Sequence, residues 1–123
     1  MSAVGIVRDS VYLTHDNGRL HPECPQRLLA IDALLDSRAA ASLLVPIPAR
    51  EATDEEILRV HSGEYLSQIA ATSGREPRFV DSDTQTSPGS YRAARWAAGG
   101  CCRAVEAVVR GEAAHAFAFV RPP

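Results

Sequence analysis

Three potential metal ligands lie within ten residues of one another: His15, His21 and Cys24, with Asp16 and Glu23 between them. Imidazole, thiolate and carboxylate together are the donor set of a zinc site, but these spacings match no zinc pattern and a fourth ligand is not evident. The plainer reading is a Pro-, His- and Glu-rich loop that shapes a binding rim. Asp81 and Asp83 offer a second pair of acids. They suit a cation or a substrate N–H, and equally the capping of turns, for which Asp is common in loops. Arg27 falls on the first turn of an expected helix, where the helix dipole does not favour a cation. It is either functional or a surface arginine paired with Asp32 or Asp36. His61 follows a helix end, where the dipole favours it, so a structural role is expected. Cys101 and Cys102 sit mid-helix among alanines and read as small buried hydrophobes. No G-x-x-x-x-G-K, G-x-G-x-x-G, H-E-x-x-H or G-x-S-x-G sequence is present.

The elements that must position these residues alternate between strand and helix. Ala3 to Val7 and Val11 to Leu13 have β character, and His15 to Pro25 is dense in turn formers. Proline suits a first helical position, so a helix is predicted from Pro25, with Leu28, Ile31, Leu34, Leu35 and Arg38 on one face. Leu43 to Ile47 reads as a strand, placed at a sheet edge or strand end because Pro46 cannot donate to a ladder. Thr53 and Glu56 fit a capping box for a short helix to about Val60. Ser62 is predicted to cap another helix carrying Tyr65, Leu66, Ile69 and Ala70, with Gly74 as its stop.

Glu76 to Gly89 is a polar connection. Pro88 to Arg110 is then predicted as one helix of about 34 Å, with Tyr91, Ala94, Ala98, Cys101 or Cys102, Val105 and Val108 as its apolar stripe. Gly99-Gly100 inside it implies close packing against a neighbouring backbone, since glycine otherwise costs a helix about 1 kcal/mol relative to alanine. Gly111 ends the helix, and His115 to Val120 reads as a buried strand. This order predicts an α/β fold with parallel strands.

The 123 residues are the length of one ordinary domain, and 46% hydrophobic with 23% charged residues is a globular composition. Thirteen Lys+Arg against fifteen Asp+Glu give a net charge of -2, so no basic surplus points to nucleic acid or an anionic membrane. No apolar run approaches the roughly 20 residues that cross a bilayer. The first ten residues do not resemble a secretory signal. Three cysteines, two of them adjacent, fit a reducing cytoplasm.

Five phrases, in order, resemble the N-terminal part of the histone deacetylase family. The similarity is closest to class II and bacterial deacetylase-like amidohydrolases, including acetylpolyamine amidohydrolases and acetoin-utilisation proteins. They are His21-Pro22-Glu23-Cys24-Pro25-Gln26-Arg27 with Leu28 and Ile31; Val60-His61-Ser62 with Tyr65; Asp81-Ser82-Asp83-Thr84 with Ser87 and Ser90; Ala97-Ala98-Gly99-Gly100 with Ala104-Val105; and Ala116-Phe117-Ala118 with Val120-Arg121-Pro122-Pro123. The resemblance implies the first third of a three-layer, arginase-like α/β fold with a mostly parallel sheet, so residues 1–123 form a partial, truncated domain. It implies an ancestry among zinc-dependent hydrolases of the amide C–N bond, which remove acetyl groups from acetyl-lysine or acetylpolyamines.

In the family, zinc polarises the amide carbonyl and activates water, a histidine pair moves protons and a tyrosine stabilises the oxyanion. That pair follows Arg-Pro-Pro directly, and the zinc ligands lie further downstream. None has a matching position in residues 1–123, so no catalytic residue, metal ligand or cofactor is assigned to this chain. The resemblance gives His21 and Pro22 a place on the first rim loop beside the substrate channel. It gives Arg27 a place at the internal cavity, in product exit and loop support. Asp83, or else Asp81 or Thr84, falls at a rim position that accepts the substrate's backbone N–H. The expected partners are an acetylated amine and a second chain carrying the catalytic half; a non-catalytic binding module is the alternative. A terminal strand expected to be central in its sheet also predicts an exposed apolar edge and poor solubility in isolation.

Overall fold

A computed structural model describes residues 3–37 and 41–123. In chain order it contains β1 (Val4–Val7), a 3-10 turn (Ser10–Thr14), α1 (Pro25–Leu35), β2 (Leu44–Pro46), α2 (Asp54–Leu58), α3 (Gly63–Ala70), β3 (Arg78–Phe79), β4 (Gln85–Thr86), α4 (Ser90–Val109) and β5 (His115–Ala118). Strands β2, β1 and β5 form a parallel sheet in that order, with Val4 in register with both Leu44 and His115. The architecture is the α/β one predicted. Pro46 closes the edge strand opposite Ile6, where its missing N–H costs the sheet nothing.

Local chemistry explains most boundaries. Pro25 occupies the first turn of α1. Thr53 and Glu56 form the reciprocal capping box at α2, and Ser62 Oγ accepts Tyr65 N–H at 3.1 Å to start α3. After α4, Gly111 takes a φ of +74° and donates to Val108 O, while Glu112 donates to Ala107 O. These two bonds satisfy carbonyls that the helix end leaves open, and the left-handed turn between them favours glycine. Thr53→Ala removes one cap bond and is expected to lower stability by about 1 kcal/mol, read as a lower urea midpoint at unchanged slope.

The structure corrects several expectations. Val11–Leu13 lies in the 3-10 turn rather than a strand, because the Asp9 carboxylate captures Val11 N–H at 2.8 Å and caps the turn. The polar connection contains the antiparallel pair β3–β4, with Arg78 opposite Thr86. On α1, Leu28 is buried but Leu34 is exposed; Arg38, assigned to the same face, lies outside the described residues. β5 is not a buried strand. It lies at the sheet edge with Phe117 59% exposed.

Helix α4 carries the largest correction. Its buried residues are Ser90, Ala93, Ala97, Gly99, Gly100, Ala104 and Ala107. Ala98, Cys101, Val105 and Val108, predicted as core, are exposed. The sheet comes so close that only small side chains fit beneath the helix. Ala104 and Ala107 pack with Val7 and Ile47, and Ala116 and Ala118 of β5 close this cluster. Gly99 meets the backbone of residues 50–52, and Gly100 faces the Tyr12 ring. Arg95 and Arg50 pin that loop: Arg95 donates to Ala52 O at 2.6 Å, and Arg50 bridges Glu56 and Glu106 at 2.8 and 2.6 Å. Hydrogen bonds from Arg50 hold both carboxyls below their usual range.

Candidate functional site

The rim loop from His15 to Cys24 lies against the β3–β4 hairpin, and short side chains tie the two together. Within the loop Asp16 accepts Gly18 N–H at 2.9 Å, and across to the hairpin Asn17 Oδ1 accepts Gln85 N–H at 2.6 Å. His21 Nδ1 accepts Glu23 N–H at 3.0 Å. That bond assigns the imidazole proton to Nε2 in the neutral ring, 3.1 Å from Asp83 Oδ1 and 3.1 Å from Asp83 O. His21 and Asp83, 62 positions apart, therefore meet. Asp81 plays a different part: its carboxylate accepts Asp83 N–H at 2.8 Å, which braces the hairpin turn and holds its pKa below the usual value. Asp83 itself projects outward, its side chain 87% exposed.

The other two sequence candidates stand apart from this pair. Pro22 is exposed. Arg27 is also exposed, 3.9 Å from Glu23 four residues earlier, just ahead of the helix. Its suggested partners Asp32 and Asp36 belong instead to Arg8, which reaches in from the end of β1. Leu20, which sequence reasoning did not single out, is fully exposed at a φ of +60°. The left-handed region costs a leucine about 1 kcal/mol or more, so the loop holds an apolar side chain outward against local preference.

Beneath the rim lies a buried polar centre. Arg121 is 2% exposed, its Nε and Nη2 on the two oxygens of Glu23 and its Nη1 donating to Tyr12 O at 3.0 Å. Burial alone would raise the Glu23 pKa; the hydrogen bonds and charge of Arg121, aided by His15 and Arg27, outweigh it and hold the carboxyl below its usual range. His15, also buried, has Nδ1 2.8 Å from Ser90 Oγ and Nε2 3.5 Å from Glu23 Oε2. Desolvation outweighs the attraction of Glu23 and lowers the ring's pKa from the ordinary value. Ser87 and Ser90 complete the centre: Ser90 Oγ accepts Ser87 N–H at 2.7 Å, and Ser87 Oγ accepts Asp16 N–H at 3.0 Å. Tyr12 donates to Trp96 O at 2.9 Å, and burial pushes its pKa up to about 12.

A cavity of about 490 Å³ opens between α3, the hairpin, the start of α4 and Val120–Pro123, with His15, His61, Tyr65, Ser90 and Arg95 among its walls. His61 is exposed and stacks on Tyr65 at 5.2 Å. Among the described residues, no three His, Cys, Asp or Glu side chains converge as a metal site requires. The nitrogens of His15 and His21 are turned to Ser90, Glu23 and Asp83, and Cys24 stands at the start of α1. These residues do not fit a zinc ion. The three cysteines are free; Cys101 is exposed, not buried as predicted, because it lies on the outer face of α4. No helix among the described residues is long and apolar enough to cross a membrane.

Comparison with known proteins gives a consistent match. The histone deacetylase domain family matches residues 21–123. A histone deacetylase-like amidohydrolase of Pseudomonas aeruginosa is 37% identical over 84% of this chain and 27% of its own length. A probable deacetylase of Archaeoglobus fulgidus is 36% identical over 97% of this chain and 33% of its own. An uncharacterized protein of Synechocystis is 37% identical over 98% of this chain and 40% of its own. The crystal structure of the HDA15 HD domain superposes at a TM-score of 0.92 with 35% identity, covering 99% of this chain and 36% of that one. The chain thus spans well under half the length of these relatives.

Proposed function

Because this chain belongs to the histone deacetylase family, we propose that it supplies the scaffold and one channel lip of a zinc-dependent amidohydrolase acting on acetyl-lysine or acetylpolyamines, and is catalytically incomplete by itself. One observation carries this reading: both imidazoles of the rim loop act as braces, His15 on Ser90 and His21 on Asp83. Zinc and the proton-transferring histidines are assigned to the part of the family domain that residues 1–123 do not match. The proposed partner is an acetylated amine, and the proposed compartment a reducing cytoplasm, in keeping with three free cysteines.

Within this reading each residue has a task. His21, held by Glu23 N–H, donates to one oxygen of Asp83 and fixes its direction. The outward carboxylate is then free to accept an amide N–H of the substrate, a charge-assisted bond stronger than a neutral one. Pro22 stiffens the lip beside His21. Arg27, on the resemblance alone, supports the loop and assists product exit. The Glu23–Arg121 clasp fixes the loop base to the segment after β5.

The test is a deacetylation assay on the purified 123-residue chain with an acetyl-lysine reporter and added zinc. No turnover is expected. Turnover abolished by a chelator overturns the proposal.

A further inference from the structure

The rim loop and the hairpin meet through one imidazole whose two nitrogens have opposite roles. His21 Nδ1 accepts Glu23 N–H at 3.0 Å, while Nε2 lies 3.1 Å from both the carbonyl oxygen and Oδ1 of Asp83. The Asn17 side chain meets the same ring. Gln85 N–H at 2.6 Å fixes its Oδ1 as an acceptor, so its Nδ2 carries the hydrogens. That Nδ2 stands 3.3 Å from each ring nitrogen and 3.4 Å from Asp83 O. These partners are matched to a neutral ring: Nδ1 has to accept, and the Asn17 amide presents hydrogens to it rather than lone pairs.

A second proton changes both sides of the arrangement. Nδ1–H cannot accept, so it faces Glu23 N–H and the Asn17 amide hydrogens donor to donor. The ring then gives up Glu23. On the other side the bond to Asp83 becomes an ion pair, and a hydrogen bond between charged groups is shorter and stronger. The other charged and titratable groups nearby are already directed elsewhere. Glu23 turns its carboxylate to Arg121, Asp16 turns its own to Gly18 N–H, and Asp81 turns its own to Asp83 N–H. Arg27 of α1 lies on the Glu23 side, and His15 is close enough for charge on the two rings to be opposed.

We propose that Asn17 and His21 form a pH-responsive latch on the lip. The neutral ring braces the rim loop through Glu23 N–H and leaves the Asp83 carboxylate its charge; the protonated ring releases Glu23 and covers that charge. Imidazole is the side chain that changes charge between about pH 5 and 8, so the lip is presented in neutral conditions and masked in acid. Asn17 is a positioning residue here, acting on Asp83 through His21. The consequence for a substrate N–H at Asp83 rests on the functional reading above; the latch itself does not.

The experiment follows the imidazoles, the Glu23 amide and the Asp83 carboxyl by NMR across pH in the full 123-residue chain. At high pH His21 is expected in its Nε2–H form. As pH falls, the Glu23 amide and Asp83 carboxyl signals are expected to move with the His21 midpoint. Both steps should vanish in His21→Gln and remain in His61→Gln, whose native ring stacks on Tyr65. Asn17→Asp keeps an acceptor for Gln85 N–H and replaces the amide hydrogens with lone pairs and a negative charge. It should raise the His21 midpoint by at least about half a pH unit, because an opposite charge favours the protonated ring. The Glu23 and Asp83 steps should shift with it. If this variant loses the parent's amide spectrum, the parent titration decides. An Nδ1–H ring, a Glu23 amide that does not follow His21, or an unmoved midpoint in Asn17→Asp overturns the proposal. Turnover in the deacetylation assay counts against the functional reading alone.

Discussion

Gly99→Ala is expected to lower the stability of the fold steeply. A Cβ at this position falls 2.5 Å from both Ala52 N and Glu51 C, and nearer still to Arg50 O. All three are backbone atoms, so no side chain can rotate away. Either α4 lifts or the 50–52 loop moves. Lifting α4 opens the packing of Ala104 and Ala107 on Val7 and Ile47. Moving the loop breaks the Ala52 N–H bond to Arg95 O at 3.0 Å and strains the bridges of Arg50 and Arg95. Overpacking a core costs roughly 1–3 kcal/mol when side chains yield; with backbone on both sides at least about 3 kcal/mol is expected. Domains of this size are stable by roughly 5–15 kcal/mol, so the variant should melt well below the parent. Gly63→Ala is the control. Its Cβ meets nothing nearer than Leu58 Cδ2 at 4.0 Å in the first turn of α3, and the melt should hold or rise. A sharp, unshifted melt for Gly99→Ala would show that the helix does not sit this close to the loop.

Removing the Glu23 carboxylate should be nearly as damaging. Glu23→Ala leaves Arg121, 2% exposed, with a buried charge and only Tyr12 O as an acceptor. Breaking one side of a buried ion pair costs roughly 3–5 kcal/mol. Glu23→Ala with Arg121→Met removes both charges and should recover much of that loss, because the desolvation penalty disappears with the charge. Denaturant titration of the three variants checks this; additive losses in the double variant would contradict the clasp.

The same centre sets an acid limit. The folded pKa of Glu23 lies below its ordinary 4.5, so its stabilisation is full above that value and is lost as pH falls through the folded pKa. His15 is also lowered, from 6.5. Below about pH 6.5 the unfolded chain takes a proton that the fold refuses, so stability declines from there downward. His15→Gln should flatten the upper part of that decline.

Much of this was legible in the sequence because it is local. The Pro25 start, the Thr53–Glu56 box, the Ser62 cap and the Gly111 stop each depend on residues within a turn of one another, as does the strand-ending Pro46. What failed depended on distance or on competition. Asp9 two residues before Val11 turned an apparent strand into a 3-10 turn. The buried and the exposed stripe of α4 share one spacing, so periodicity could not choose between them. Hydrophobicity favoured the valines, whereas the close approach of the sheet selected alanines. Gly99-Gly100 carried the right signal, since it marked the side where a neighbour comes near. At the site, Asp83 and His21 were both singled out, but nothing in the sequence joined them across 62 positions. Arg121 was visible only as part of a phrase, because its partner Glu23 lies 98 positions away.

The most direct measurement is metal retention by the intact 123-residue chain after equilibration with zinc and dialysis, alongside its cobalt spectrum. Structural zinc sites bind with roughly 10–16 kcal/mol at neutral pH, so such a site would survive dialysis. With His15 and His21 committed as braces, the expected result is no zinc retained and no tetrahedral cobalt band. One equivalent of zinc held tightly, with the His21 imidazole turned from Asp83 to the metal, would contradict the assignment of these residues to scaffold and channel lip.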